Sequence, residues 1–264
     1  TMATVLFLVF PWNFLLFGYG YADATVTALV LGAFVLLDRR RMVLAAVVGS
    51  LAAATRATGI PIVFAILAVE ALRVGAVSRT ALPAVASIFG GSRLEVSPRK
   101  FGAKSIVVSL VSLSTLLAFS AWMWHHVGDP LYWFTIEQYY GHEPLTQLAA
   151  WLETLLSGWP SEAISGPHEM VNQWFTAAVT LGSLLAIPAI RRRFGIEYAI
   201  FAVLVWIMAW TGSRVFTPAG RLIMPITPFL FVLAAEWLII RPWRALGVIS
   251  ACTVGSLTLV VLFT

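Results

Sequence analysis

Two arginines lie beside glycine and proline at the ends of apolar segments, where a guanidinium can meet an anion. Arg56 is part of the sequence TRATG at residues 55–59, and Arg221 follows a glycine and precedes Pro225 and Pro228. A guanidinium holds phosphate through two parallel hydrogen bonds. Prolines loosen a helix and free backbone groups near its end. Both arginines are therefore candidate phosphate ligands. The alternatives are a structural salt bridge for Arg56 and a membrane-interface anchor for Arg221.

Asp23 is the candidate acidic residue to be considered together with these arginines. It stands at the start of an apolar segment, in the sequence YAD at residues 21–23. A carboxylate in that position can act as a base or bind a cation. It can equally cap a helix N-terminus, where the helix dipole favours a negative charge. Both interpretations stay open, as does an ion pair between Asp23 and Arg56.

The remaining polar motifs favour structural roles. Asp129 precedes Pro130, the pattern of a helix N-cap followed by proline at the first helical position. His125 and His126 are adjacent and lack the spacing of a zinc site, so no metal ligand is assigned, and divalent-metal dependence has no support from ligand spacing. No Walker A, GxGxxG or GxSxG motif occurs, so we expect no cofactor.

The amino-acid composition predicts that the chain lies in a membrane. The chain has 264 residues, of which 60% are hydrophobic and 11% charged, whereas soluble domains carry about 25% charged residues. The apolar excess must face lipid or lie between helices. The net charge of +5 then reflects cytoplasmic loops, and nucleic-acid binding is not expected. The single cysteine, Cys252, excludes an internal disulfide.

Charge-poor segments divide the chain into about nine predicted membrane-spanning helices. A bilayer core needs roughly 20 apolar residues per helix. The segments cover residues 1–17, 22–37, 42–54, 60–72, 106–124, 173–190, 198–210, 222–240 and 245–263. The predicted fold is an all-α, polytopic transmembrane bundle forming one domain over residues 1–264.

The basic residues give the bundle an orientation. If Arg39 to Arg41 are cytoplasmic, alternation puts fourteen of the 17 basic residues on the inner side, as the positive-inside rule requires. Arg56, Arg214 and Arg221 are the exceptions. Residues 73–105 then form a basic cytoplasmic loop. Residues 125–172 form a long extracytoplasmic loop, in which residues 145–156 predict an interfacial helix.

The depth of Arg56 follows from helix length. About 14 residues separate it from Arg41, a rise of about 21 Å, which is less than the roughly 30 Å hydrocarbon core. Arg56 is therefore expected below the outer surface, in a cavity lined by protein. A charge at that depth is costly unless it is paired, which makes it a functional-site candidate.

These motifs, in this order, resemble the PIG-V-like mannosyltransferases, which belong to the GT-C class of polytopic glycosyltransferases. The resemblance lies in the sequences FPWN at residues 10–13, YAD at 21–23, LAAATRATG at 51–59, GDPLYWF at 128–134 with Gln138, and GRL at 220–222 with Pro225. Asp23 stands where the family usually has glutamate. The family's main catalytic acid lies in a first outer loop, which we expect upstream of Thr1.

The resemblance implies transfer of a sugar, usually mannose, from a polyprenyl-phosphate donor to a lipid-linked or glycan acceptor. The reaction would occur on the extracytoplasmic face of a multi-pass protein, here expected in a prokaryotic plasma membrane among its lipids. Arg56 and Arg221 would bind phosphate, and Asp23 would be a secondary catalytic acid. The sugar would contact the remaining candidate residues, Trp133, Gln138 and Tyr139. A transporter and a non-catalytic membrane scaffold are the alternative functions.

Overall fold

The backbone is helical in almost all of the chain that the computed structural model describes, which comprises residues 2–9, 22–74, 102–132, 167–211, 222–240 and 242–263. No strand occurs in these ranges, so the all-α prediction is confirmed for them. Their α-helices, numbered here in chain order, are α1 Met2–Val9, α2 Asp23–Asp38, α3 Met42–Thr55, α4 Ile60–Arg73, α5 Ala103–Val127, α6 Pro167–Arg193, α7 Ile196–Thr211, α8 Thr227–Ile239 and α9 Pro242–Phe263.

Each predicted segment overlaps one of these helices. The bounds of α2, α3 and α4 agree with the prediction to within one residue, because charges and glycine flank their apolar runs. α5 and α6 are longer than predicted, since their polar flanks continue the helix. The ends of the predicted loops at residues 73–105 and 125–172 are therefore helical. The interfacial helix predicted at residues 145–156 lies outside the described residues.

A tight turn of three arginines joins α2 to α3. The Arg40 N–H donates to the Leu37 carbonyl at 2.9 Å, and the Arg41 N–H donates to the Leu36 carbonyl at 2.8 Å. This pair of bonds is the Schellman motif, which satisfies the last carbonyls of a helix. Arg40 has the left-handed conformation that the motif requires, with φ of 58°. The turn reverses the chain within three residues and keeps all three charges together.

Prolines interrupt the helix that follows residue 222, as the sequence predicts. A 3₁₀ turn at Met224–Ile226 contains Pro225, and α8 begins only at Thr227, with Pro228 in its first turn. The Thr227 hydroxyl donates to the Met224 carbonyl at 2.7 Å. Proline lacks the N–H for a regular helical bond, so the turn tightens instead.

The chain divides into two compact units, each built from discontinuous segments. One unit comprises Thr1–Ala24, His142–Ala186 and Trp206–Thr264, and the other comprises Thr25–Gly141 and Ile187–Val205. In the first unit, α1 packs against α8 and α9. Leu6 is buried there in an apolar cluster with Leu238, and the rings of Phe7 and Phe231 meet edge to face, 5.9 Å apart.

In the second unit, α3 packs against both α4 and α5. An aromatic cluster joins α2 to α7, where Phe34 stacks on Tyr198 with ring centroids 4.1 Å apart and meets Phe201 edge to face at 5.3 Å. The Tyr198 hydroxyl donates to the Asp38 carboxylate at 2.8 Å. These contacts connect helices that are far apart in the sequence.

α5 is the one helix in the described ranges that is long and apolar enough to cross a membrane, judged by length and composition. Only 11% of its most apolar stretch is buried inside the protein. Shorter apolar helices of 10–17 residues occur at Met42–Thr55, Ile196–Trp210, Met224–Ile239 and Trp243–Val254. The described structure therefore contains one candidate span and four shorter apolar helices.

Candidate functional site

Arg56 lies at the tip of the α3–α4 hairpin, between α3 and a 3₁₀ turn at Ala57–Gly59. Its backbone is extended, with φ of −166° and ψ of 155°, and ends α3. Its N–H donates to the Ala52 carbonyl at 3.3 Å, and its carbonyl accepts the Gly59 N–H at 2.9 Å. The side chain is half-buried. The residue thus sits on a short, hydrogen-bonded turn rather than in a long loop.

Close packing holds this turn against α3. A Cβ at Gly59 would overlap the carbonyl group of Ala52, so only glycine allows the observed approach. Thr58 is 1% exposed, and its hydroxyl has no hydrogen-bond partner among the described residues. Pro61 occupies the first turn of α4, where its missing N–H costs nothing. The turn is therefore tightly packed around the base of Arg56.

Charged residues from three helices of the second unit interact electrostatically. Glu197, at the start of α7, is 7% exposed, and its carboxylate interacts with the charges of Asp38 at the end of α2 and Arg73 at the end of α4. Asp38 repels the carboxylate, and Arg73 attracts it. These three residues, which we call the inner charge cluster, all lie on the side that the charge rule predicts to be cytoplasmic.

Arg56 lies at the opposite end of the hairpin from this cluster. α3 begins just after Arg41 and ends before Arg56, and α4 returns from the turn to Arg73. Both helices have 14 residues, a rise of about 21 Å, which is shorter than a hydrocarbon core of about 30 Å. The helix length used to predict the depth of Arg56 is therefore the observed one, and the depth itself stays a prediction.

Asp23 is the first residue of α2 and is 4% exposed. Its place in the first turn suits a negative charge near the helix N-terminus. Burial of a carboxylate is costly without hydrogen bonds or a cation, so the position also suits a functional acid. Asp23 is assigned to the first unit and Arg56 to the second. The two interpretations of Asp23 remain open.

Four of the candidate site residues lie outside the described part of the chain. They are Arg221, Trp133, Gln138 and Tyr139. Their roles stay predictions. Close to Arg221 in the sequence, the 3₁₀ turn that contains Pro225 confirms the local helix irregularity that the prolines predict.

Asp129 has the structural role that its sequence favours. Its carboxylate accepts the Leu131 N–H at 2.8 Å in the turn that follows α5. Gly128 closes α5 with φ of 81°, a conformation that glycine adopts without strain, and its N–H donates to the Trp124 carbonyl at 3.0 Å. The glycine ends α5, and the Asp129 carboxylate stabilises the turn that follows it.

The adjacent histidines at the end of α5 belong to an aromatic stack. His126 stacks on Trp122 at 4.6 Å, its Nδ1 lies 2.9 Å from the Trp122 carbonyl, and the His125 ring meets it edge to face at 5.0 Å. Among the described residues, no group of three or more histidine, cysteine, aspartate or glutamate side chains is arranged to hold a metal ion.

One polar feature of the structure was not predicted from the sequence. Ser50 of α3 has its hydroxyl 2.9 Å from the Ser114 hydroxyl and 2.7 Å from the Thr115 hydroxyl of α5. Thr115 also donates to the Ser50 carbonyl at 2.9 Å. The signal was present, since Ser105, Ser112 and Thr115 recur at helical spacing within an otherwise apolar helix.

Comparison with known proteins adds no relative. No protein-family model matches this chain, and no curated protein and no solved structure matches it significantly. The resemblance to PIG-V-like mannosyltransferases consequently rests on the motifs and their order along the chain.

Proposed function

We propose that this chain is a multi-pass membrane glycosyltransferase with about nine membrane-spanning helices, similar to the PIG-V-like mannosyltransferases. It transfers a sugar, mannose in that family, from a polyprenyl-phosphate donor to a lipid-linked or glycan acceptor. The transfer occurs on the extracytoplasmic face of a prokaryotic plasma membrane.

The surface of α5 supports membrane embedding. Its buried residues are Ser105, Val108 and Ser112, a narrow and mostly polar stripe. Besides the exposed Lys104, His125 and His126 near its ends, α5 exposes many large apolar side chains, namely Ile106, Val107, Leu110, Leu117, Phe119, Trp122, Trp124 and Val127. Water would oppose this distribution, whereas lipid favours it, because helix interfaces in membranes use small and hydroxyl side chains.

The inner charge cluster supports the proposed orientation. Asp38, Arg73 and Glu197 come from three segments that the positive-inside rule assigns to the same side. Charges at these three helix ends can interact only if the ends lie on the same side of the membrane, so their interaction agrees with the assignment. The short helices α3, α7 and α8 pack as apolar elements and serve as spans in a bundle whose neighbours shield their ends.

The position of Arg56 is the observation that carries the enzymatic proposal. A half-buried guanidinium stands on a rigid turn, at the end of its hairpin opposite to the inner charge cluster. A polyprenyl phosphate lies in the outer leaflet and brings its charged phosphate to the depth proposed for Arg56. Arg56 can bind two phosphate oxygens and stabilise the negative charge that develops as the lipid phosphate leaves.

The chemistry of transfer needs one further group. The bond between the sugar C1 and the phosphate oxygen breaks, and the acceptor hydroxyl oxygen bonds to C1. The hydroxyl proton passes to a base, and Asp23 is the candidate acid in this chain for receiving it or for orienting the acceptor. Arg221 is proposed as a second phosphate ligand. The sugar would meet Trp133, Gln138 and Tyr139.

Replacement of Arg56 by lysine tests this proposal. Lysine keeps the charge but loses the planar pair of donors. We expect the Arg56→Lys variant to lose about tenfold or more in sugar transfer from polyprenyl-phosphate mannose, with a normal yield of folded protein. Initial rates with the purified full-length protein measure the effect. Arg192→Lys, at an exposed arginine of α6, is the matched control.

Two results would contradict the enzymatic proposal. A loss of folded protein with normal activity per molecule would mean that Arg56 is a structural ion-pair residue. If the protein binds no polyprenyl-phosphate sugar, and a soluble solute is bound and transported instead, the chain is a transporter.

A further inference from the structure

An arginine lies between two tryptophan rings where α8 meets α9. The Arg244 guanidinium is 4.9 Å from the centre of the Trp237 ring and 5.3 Å from that of the Trp243 ring. Both distances fall within the range of cation–π attraction. All three residues belong to the first unit. We call this arrangement the Trp–Arg clamp.

The clamp leaves the hydrogen-bonding edge of the guanidinium available. A cation–π contact uses the face of an aromatic ring, whereas the five N–H donors lie at the rim of the guanidinium plane. No carboxylate partner of Arg244 occurs among the residues that the structure describes. The two rings thus restrain the cation without neutralising its charge.

Apart from the exposed Glu236 next to Trp237, the described surface around the clamp is largely apolar and exposed. Trp237 is 56% exposed and Trp243 is 67% exposed. Ile239, Ile240 and Leu246 are exposed to similar or greater extents. Exposed indoles next to large aliphatic side chains and a cation are typical of the interface between hydrocarbon and headgroups.

We propose that the Trp–Arg clamp is a binding site for an anionic phospholipid of the inner leaflet. The headgroup phosphate accepts hydrogen bonds from the Arg244 guanidinium, and the acyl chains lie against the exposed aliphatic side chains. The opposite charges and the apolar surround identify the occupant. This site rests on the membrane location of the chain and is separate from sugar transfer, so either proposal can fail without the other.

Native mass spectrometry of the full-length protein in detergent tests the site. Phosphatidylglycerol and phosphatidylcholine with identical acyl chains are titrated separately. We expect wild-type protein to retain phosphatidylglycerol preferentially. Arg244→Gln should weaken that retention about fivefold, the scale of one basic residue at an anionic surface. Trp243→Leu removes an aromatic face and keeps an apolar side chain, and it should also weaken the retention of phosphatidylglycerol.

Arg192→Gln is the matched control, because Arg192 is exposed and also assigned to the inner side, and we expect it to change retention less than twofold. Circular dichroism confirms that each variant is folded, and Arg244→Lys, which keeps the charge, replaces Arg244→Gln if the latter misfolds. Unchanged retention in both Arg244→Gln and Trp243→Leu would overturn the proposal. Equal retention of the two lipids would do the same. Displacement of the lipid by millimolar inorganic phosphate would mean a general anion site and would also overturn it.

Discussion

At the scale of single residues, the Arg56 turn depends most on Gly59. The backbone φ of Gly59 is −86°, which any residue can adopt, so the requirement is for space and not for conformation. A side chain there would press on the Ala52 carbonyl and lift the turn from α3. Arg56, three residues earlier, would move with it. Gly59 is therefore a positioning residue for the candidate site.

Replacement of Gly59 by alanine should destabilise the protein. The methyl group cannot be accommodated without a backbone shift, and overpacking of this kind typically costs about 1–3 kcal/mol. Reversible unfolding in mixed micelles measures the change in the free energy of unfolding. Gly32→Ala is the control, because a Cβ at Gly32 of α2 would meet only the Val48 side chain, at 3.7 Å.

The control should behave in the opposite way. Alanine in a helix interior is favoured over glycine by up to about 1 kcal/mol, so Gly32→Ala should leave stability unchanged or raise it. Equal effects at the two glycines would show that the contact between the turn and α3 does not limit stability.

At the scale of elements, hydroxyl groups join α3 to α5 within an apolar surround. The Ser50 hydroxyl of α3 lies within hydrogen-bond distance of both the Ser114 and the Thr115 hydroxyl of α5. Lipid offers no competing water, so interhelical hydroxyl bonds and small residues contribute to helix association. The exposed apolar residues of α5 contribute little to its contact with α3, because they face away from the protein.

Thr115→Val should weaken the contact between these helices. Valine has nearly the same shape but loses the bonds to the Ser50 hydroxyl and carbonyl. We expect the free energy of unfolding to fall by about 0.6–1.7 kcal/mol, the range measured for interhelical hydrogen bonds in a membrane. Unfolding in mixed micelles provides the value.

Thr253→Val is the comparison for that variant. The Thr253 hydroxyl donates to the Ile249 carbonyl of its own helix at 2.8 Å and is exposed, so its removal should change stability much less. A loss at Thr253 as large as that at Thr115 would contradict the role assigned to the interhelical bonds.

At the scale of the whole molecule, the charge pattern predicts which loops share a side of the membrane. Fourteen of the 17 basic residues fall on one side in the nine-span arrangement. The inner charge cluster joins three of the helix ends that this arrangement assigns to that side. Orientation is a property of the entire chain and needs its own measurement.

Single cysteines at Ser78 and Ser161 should be labelled from opposite sides of a sealed vesicle. Ser78 is predicted to be cytoplasmic and Ser161 extracytoplasmic, on opposite sides of an odd number of spans. A membrane-impermeant maleimide, applied before and after permeabilisation, distinguishes them. The native Cys252 is first replaced by serine, as it is the single cysteine of the chain. Labelling of both positions from the same side would rule out the nine-span arrangement.

The amino-acid sequence alone predicted where the helices are, and the positive-inside rule predicts which helix ends share a side of the membrane. α2, α3 and α4 were predicted to within one residue, because an apolar run ends where a charge, glycine or proline makes continuation unfavourable. Counting residues in α3 predicts the depth of Arg56, and that depth stays a prediction. The cap at Asp129 and the irregularity at Pro225 followed from local backbone chemistry.

Only the tertiary structure decided which side chains meet. Hydropathy is nearly uniform around a helix such as α5, so it cannot tell the face that packs on α3 from the face left exposed. Side-chain volume and hydrogen bonding make that choice, which is why the Ser50–Thr115 contact and the space limit at Gly59 emerged only from packing. The Trp–Arg clamp likewise depends on how α8 and α9 meet, since the distance between Trp237 and Arg244 in the sequence does not determine their contact.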